Sequence, residues 1–421
     1  MREMKDSGIE WVGAIPQNWQ LSKIGSLYTQ RNEKVSDKDY QPLSVTMQGI
    51  LPQLATAAKT DDGDNRKLVR VGDFAINSRS DRRGSCGISP LDGSVSLINI
   101  ILTPRTAMHP GYYNWLFHTT LFADEFYKWG HGIVADLWTT RWQEMKSITV
   151  PVPEYAEQER IAAFLDAECA EIDAVLEKTR ASIEEYKKLK QAVITQAVTK
   201  GVRGDRPMKD SGIEWIGDIP AEWKVNLIKN VATTGSGGTP ESGNPSLYDG
   251  DINWICSYDL KERPITKSER RLTQLGADSI AGNVQLKGSV LVAMYGGSGT
   301  IGNSGILECE AKTNQAICSI KFNNGYITDY FGFYYILSIR KYWMIFAVGT
   351  RKDPNISQDI VRKMPCILPP IAEQEEIVAY CNKACDRLDT LITKKQQYLT
   401  EIENYKKSLI YEYVTGKKEV V

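Results

Sequence analysis

Two stretches of the chain repeat apolar residues at alternating spacings of three and four. The first runs from about Glu157 to Thr199 and places Ile172, Leu176, Thr179, Ile183, Tyr186, Val193 and Ala197 on one stripe. The second runs from about Glu373 to Thr415, with Leu388, Ile392, Lys395, Leu399, Ile402, Leu409 and Tyr413 in the matching places. This is heptad spacing, and neither stretch contains proline or glycine until Gly201 or Gly416. A lysine, Lys190 or Lys406, interrupts the stripe at the same place in both copies, and Lys395 does so again in the second. Pro151, Pro153, Pro365, Pro369 and Pro370 stand just upstream, where a helix can begin but cannot extend backwards. Each helix of about 43 residues would be about 65 Å long at 1.5 Å per residue. A polar helix with a narrow apolar stripe needs a partner to cover it. Two similar copies in one chain predict an intramolecular, antiparallel coiled coil. The competing arrangements are a helix lying on its own globular block, or a seam between two chains.

The chain also repeats itself outside the helices. Residues 4–19 read MKDSGIEWVGAIPQNW and residues 208–223 read MKDSGIEWIGDIPAEW, identical at 12 of 16 positions. A second pair, VPEYAEQERI at 152–161 and LPPIAEQEEI at 368–377, leads into the two helices. Between these boxes lie two blocks, 20–150 and 224–366, with much weaker likeness. One echo survives: VGDFAI at 71–76 against KGSVLV at 287–292, each a polar turn entering an apolar β-strand. The order is frame, variable block, frame, helix, then the same again. One scaffold thus presents two similar mixed α/β (α+β) folds with different surfaces.

Composition narrows the function. The 421 residues are 42% hydrophobic and 24% charged, with a formal net charge of -1, the profile of a globular protein rather than a disordered one. No apolar run reaches the length of a membrane-spanning helix, and the first residues lack a signal-peptide core. Eight scattered cysteines, none spaced CxxC, and three histidines argue against structural zinc and for reduced thiols in a cytoplasm. Total charge hides a division. Residues 20–150 hold 15 basic and 13 acidic side chains, and residues 224–364 hold 16 and 12. The helical stretches 154–200 and 371–416 are acidic, with 7 basic against 10 acidic and 6 against 8. Basic excess in the blocks is the sign a DNA reader needs, because phosphate contacts dominate affinity.

Loops inside the blocks supply candidate reading groups. In the first block, Asn77, Arg79, Arg82 and Arg83 crowd into NSRSDRR, suited to guanine, adenine or phosphate contacts. An exposed solubilising loop is the alternative. In the second block, GSGGTP at 235–240 with Thr239, and YGGSGT at 295–300 with Tyr295 and Ser298, are glycine-rich enough for backbone amides to approach phosphate. Tight turns between strands explain them equally well. GTRKDP at 349–354 adds Arg351 and Lys352. No Gly-Lys-Ser/Thr follows either glycine run, so neither is an ATP-binding P-loop. Asn244-Pro245-Ser246 and Asp353-Pro354-Asn355 do not fit the Asn/Asp-Pro-Pro-aromatic loop of an adenine methyltransferase. No metal-ligand spacing and no nuclease constellation is apparent, so the chain reads as non-catalytic.

The MKDSGIEWxGxIPxxW box, the Gly-Gly-Thr-Pro stretch at 237–240 followed by GDINWI at 250–255, and the Pro-x-x-x-Glu-Gln-x-x-Ile box before a long helix resemble the specificity subunit of type I restriction-modification systems. The resemblance spans both halves. The first block departs from it, with YTQRNEK at 28–34 where the second has Gly-Gly-Thr-Pro. It implies two target recognition domains, in 1–153 and 208–369, each reading half of a split DNA site. The helices, in 154–207 and 370–421, would set the spacer with pseudo-twofold symmetry and dock two modification subunits. This chain would bind no cofactor. Those partners would use S-adenosylmethionine for adenine N6 methylation, and restriction-translocase subunits would use ATP and Mg2+. A structural adaptor whose blocks bind proteins, or an enzyme with an unfamiliar site, would account for the repeat in other ways.

Overall fold

The computed structural model describes residues 2–54, 63–132, 138–296, 299–349 and 354–420, and its fold is mixed helix and sheet. It divides into two units. One comprises Met1–Arg180 and Gln396–Val421, the other Ala181–Lys395.

In the first unit the opening box is a hairpin, Met4–Asp6 antiparallel to Ala14–Pro16. The variable block then starts and ends on one ribbon, Gln20–Lys23 paired with Thr149–Val152. Pro151 is tolerated there because a two-stranded ribbon leaves an edge free. Inside the block, a four-stranded antiparallel sheet runs in the order Cys86–Ile88, Phe74–Asn77, Asn99–Pro104, Tyr28–Arg31. The strand Phe74–Asn77 is buried at every position, as a strand covered on both faces must be. Strand alternation sends Phe74 and Ile76 to one face and Ala75 to the other. The first pair joins an aromatic core with Tyr28, Tyr113 and Phe117, where the Phe74 and Phe117 rings lie 4.5 Å apart. Ala75 meets Leu43, Ile50 and Val69, two of them on the hairpin of Leu43–Thr46 and Gly49–Pro52. Helices, sheet and hairpin thus form three layers.

The second unit repeats the plan. Its box is the hairpin Met208–Asp210 with Asp218–Pro220, and its ribbon pairs Lys224–Leu227 with Pro365–Leu368. The sheet order is Ala232–Ser236, Ile317–Phe322, Val290–Ala293, Ser304–Leu307, Pro264–Ile265. The first four strands match those of the first unit taken in reverse order, so that Val290–Ala293 corresponds to Phe74–Asn77, and the fifth is an addition that pairs parallel to Ser304–Leu307. Val290–Ala293 is again buried throughout. Val290 and Val292 face the core holding Phe331 and Tyr335, while Leu291 and Ala293 face Ile255, Leu260 and Ile265. The echo at 71–76 and 287–292 is therefore the approach to one and the same central strand in the two units.

The repeated boxes are joined by buried polar contacts. Trp19 Nε1 donates to Glu157 at 2.8 Å, and Trp223 Nε1 donates to Glu373 at 3.0 Å. Arg2 pairs with Glu157 at 2.6 Å and Arg206 with Glu373 at 2.5 Å, each guanidinium also covering the tryptophan ring. Gln158 accepts from the His109 amide and donates to the Pro153 carbonyl; Gln374 accepts from Thr328 and donates to Pro369. The repeated tryptophans and Glu-Gln pairs thus serve the scaffold.

The long helices are Tyr155–Lys200 and Ile371–Val414. Every stripe position named above is buried or half-buried. In the first unit Phe164 packs on Tyr413 with ring centroids 4.4 Å apart, Asp173 meets Lys406 at 2.6 Å and Arg180 meets Glu403 at 2.6 Å. In the second, Lys395 lies over the Tyr186 ring and Lys190 meets Asp389 at 2.6 Å. Numbers rise on one helix as they fall on the other, so within each unit the two segments are antiparallel. Lys190 and Lys406, which break the stripe at the same place in the two copies, hold equivalent ion pairs.

Candidate nucleic-acid interface

Both central strands end in a candidate loop. Phe74–Asn77 leads through a 3-10 turn, Ser80–Arg82, to the strand Cys86–Ile88. Val290–Ala293 leads through residues 295–300 to Ser304–Leu307. The arginine-rich stretch and the tyrosine-glycine stretch, unalike in sequence, therefore occupy one place in two copies of a fold.

In the first unit Asn77 is buried, and its side-chain oxygen accepts from the Arg79 amide at 3.0 Å, so this side chain shapes the turn. Arg79 and Arg82 flank Asp81 at 3.6 and 3.8 Å, and the Arg82 side chain is 68% exposed. Arg83 pairs with Asp124 and lies over the Tyr127 ring. Asn77, Arg82 and Arg83 form one wall of a groove whose other wall includes Val45, Thr46 and Met47 at the hairpin tip. Met47 is 71% exposed, unusual for so apolar a side chain. Reading the sequence did not single it out. The signal was available: Met47-Gln48-Gly49 separates two short apolar runs, which is a hairpin pattern.

In the second unit the loop is shaped by left-handed glycines, with φ of 137° at Gly296 and 88° at Gly299. Tyr295 is partly exposed, and loss of hydration raises its phenol above the ordinary value. A side-chain carbon on Gly296 would lie 3.6 Å from Ser257 Oγ, so the loop adjoins the turn Ser257–Asp259. There Tyr258 is exposed beneath the Arg270 guanidinium, and burial, ahead of its Cys256 contact, pushes its phenol up to about 12. At neutral pH both phenols are therefore neutral and can donate and accept hydrogen bonds. Tyr258 and Arg270 join the candidate surface, although they are far from the loop in sequence.

The Gly-Gly-Thr-Pro stretch has a structural use. A Cβ on Gly237 would lie 1.7 Å from the Thr313 carbonyl oxygen, and the Gly238 amide already donates to that oxygen at 3.0 Å. Thr239 Oγ1 donates to Gln315 at 2.5 Å. Close backbone packing accounts for these glycines. Ser298, Arg351 and Lys352 lie outside the described residues.

Residues 220–404 match the family model of the type I restriction modification DNA specificity domain. The chain is 24% identical over 189 residues to the MjaIX specificity subunit of Methanocaldococcus jannaschii, covering 44% of this chain and 43% of that protein. It is 20% identical over 436 residues to the EcoKI specificity subunit of Escherichia coli K12, covering 96% and 90%. Residues 220–404 are thus similar to the specificity domain of type I restriction enzymes, and both halves of the chain align with curated specificity subunits at low identity. It spans less than two thirds of the first archaeal relatives it matches, 43% of one and 61% of another. A solved chain described in terms of complex assembly and conformational transition of the type I R-M system matches with a TM-score of 0.74 at 14% identity, covering 96% of this chain and 99% of that one. That likeness speaks for the fold. No helix among the described residues is long and apolar enough to cross a membrane.

Proposed function

We propose that this protein is the DNA sequence-specificity subunit of a type I restriction-modification complex. Residues 1–153 and 208–369 hold two recognition domains, each reading one half of a bipartite site. Residues 154–207 and 370–421 hold helices that pair as an antiparallel coiled coil with pseudo-twofold symmetry, set the spacer and dock two modification subunits. The observation that carries this reading is that one sheet plan presents different side chains at one loop position, Arg79, Arg82 and Arg83 in one unit and Tyr295 in the other. A shared frame with a changed loop is what two different half-sites require. Exposed Val175, Leu189, Tyr380, Tyr398 and Tyr405 on the helices favour a partner-covered rod. The chain itself is non-catalytic and cytoplasmic. Its partners bring S-adenosylmethionine, ATP and Mg2+.

The test is binding by the chain assembled with its modification subunit. It retards a duplex carrying the methylated site of the host, with steep salt dependence. Exchange of residues 20–150 for another family member's block changes one half-site and leaves the other. Absent or salt-insensitive binding, or a change in both half-sites, overturns the reading.

A further inference from the structure

In the second unit a groove runs between the long helix Tyr155–Lys200 and the recognition block. Lys187, Lys188 and Lys190 line it from the helix, and Arg340 and Lys341 from the 3-10 segment Arg340–Ile345 that follows the helix Asp329–Ser338. Three carboxylates share the groove, and each is already engaged. Glu184 meets Lys187 at 2.7 Å, Asp389 meets Lys190 at 2.6 Å, and Glu262 pairs with Arg340. Among the described residues, Lys188 and Lys341 have no carboxylate partner; the Lys341 ammonium lies over the Tyr342 ring. The same two lysines also line the adjoining groove, which adds Lys200 and contains no acidic side chain.

The fold does not demand this charge. In the first unit the helix positions equivalent to Lys187, Lys188 and Lys190, at the 216-residue offset of the repeat, are Glu403, Asn404 and Lys406. The helix Thr120–Lys128, which follows the helix Pro110–Phe117, has no basic residue before Lys128. The basic groove is therefore specific to the second unit. Gly299, at the end of the candidate reading loop, lines the same groove, so the cations continue from the surface that would face DNA. From Lys188 to Lys200 the helix rises about 18 Å, or about five phosphates of one DNA strand at 3.4 Å each.

We propose that this groove is a binding site for the sugar–phosphate backbone of double-stranded DNA next to the half-site read by the 295–300 loop, with Lys188 and Lys341 making the phosphate contacts. The proposal rests on the recognition function above and adds to it an anchor on one side of the bipartite site. The paired lysines and arginine shape the groove, and the two unpaired ammonium groups exchange counterions for phosphate. Such contacts carry affinity without sequence preference.

The experiment uses the full chain assembled with its modification subunit and compares the wild type with K188Q/K341Q on matched and mismatched duplexes. Two lost phosphate contacts lower the slope of log K against log salt by about 1.8. By the same relation, affinity falls about 30-fold at about 0.15 M salt. Both duplexes lose affinity by one factor, so the preference between them is kept, and K188R/K341R restores the wild-type slope. An unchanged slope in a K188Q/K341Q complex that unfolds at the wild-type temperature overturns the proposal. So does loss of the modification subunit with normal binding by what remains, since the groove is then a protein surface. If the wild-type complex itself binds no duplex specifically, the recognition function fails rather than the groove.

Discussion

At the scale of single residues, the scaffold depends on a few buried charges. Glu373 is fully buried, and its negative charge is met by Arg206, by the Trp223 indole and, at 4.0 Å, by Arg203. Arg206→Ala leaves a carboxylate with one strong donor in a place water does not reach. The expected loss is about 2–4 kcal/mol, read as a lower urea midpoint. Lys363→Ala removes an exposed helical pair with Asp359 and should leave the urea midpoint almost unchanged. Equal costs for the two would show that the box is not a buried anchor. His118 gives the first unit a pH dependence. Burial, outweighing its contacts to backbone carbonyls, lowers its pKa below the ordinary 6.5, and Nδ1 lies 2.6 Å from the Asn114 carbonyl oxygen. The folded state therefore holds this ring neutral, while the unfolded chain protonates it near its ordinary value. Its contribution is complete above that value and is lost as pH falls from about 7 towards the folded pKa. Denaturant midpoints at pH 7 and pH 5 should differ less in His118→Asn than in the wild type. An identical difference would remove His118 as the cause.

At the scale of elements, the helices were readable from their spacing almost to the residue, because a heptad stripe is a long local signal. Pairing within each unit was less visible. Lys190 and Lys406 look like faults in an apolar seam, yet each ammonium meets an aspartate on the opposite helix. Long lysine stems lie along the seam while the charge reaches outward. Such pairs set register more than stability, so K190D, which opposes two acids, should cost about 1 kcal/mol. Adding D389K should recover most of it in thermal melts. Failure of the double variant to recover would mean that the lysine stem, not the pair, is what the helix requires. The candidate loops were legible as loops, whereas their equivalence was not. It emerges only when strand order aligns Phe74–Asn77 with Val290–Ala293, since side chains on that surface have diverged while the buried strand has not. Met47, Tyr258 and Arg270 escaped notice for a related reason. They reach the site through packing between segments far apart in sequence, which periodicity does not record.

At the scale of the whole molecule, the proposed function makes the helix pair a spacer, and this has a numerical consequence. The contact boundary between units crosses one helix after Arg180 and the other after Lys395. Seven residues added at each of these points preserve the heptad stripe and lengthen both helices by the same amount. They also leave the Gln191 contact to the Leu337 carbonyl inside the second unit untouched, which an insertion beside Gln191 would break. Seven residues of helix add about 10.5 Å, close to three base-pair steps at 3.4 Å. The modified complex should then methylate a site with both half-sites unchanged and a spacer three base pairs longer. Four residues instead of seven would leave the stripes on the two sides of the insertion about 40° out of line, so the seam would be broken at that point. That variant should lose stability instead of gaining a new spacer. Sequencing methylated DNA from cells carrying each variant separates these outcomes. An unchanged spacer with the seven-residue pair would show that distance is fixed by something other than the helices, and would leave the recognition loops in place while removing the ruler.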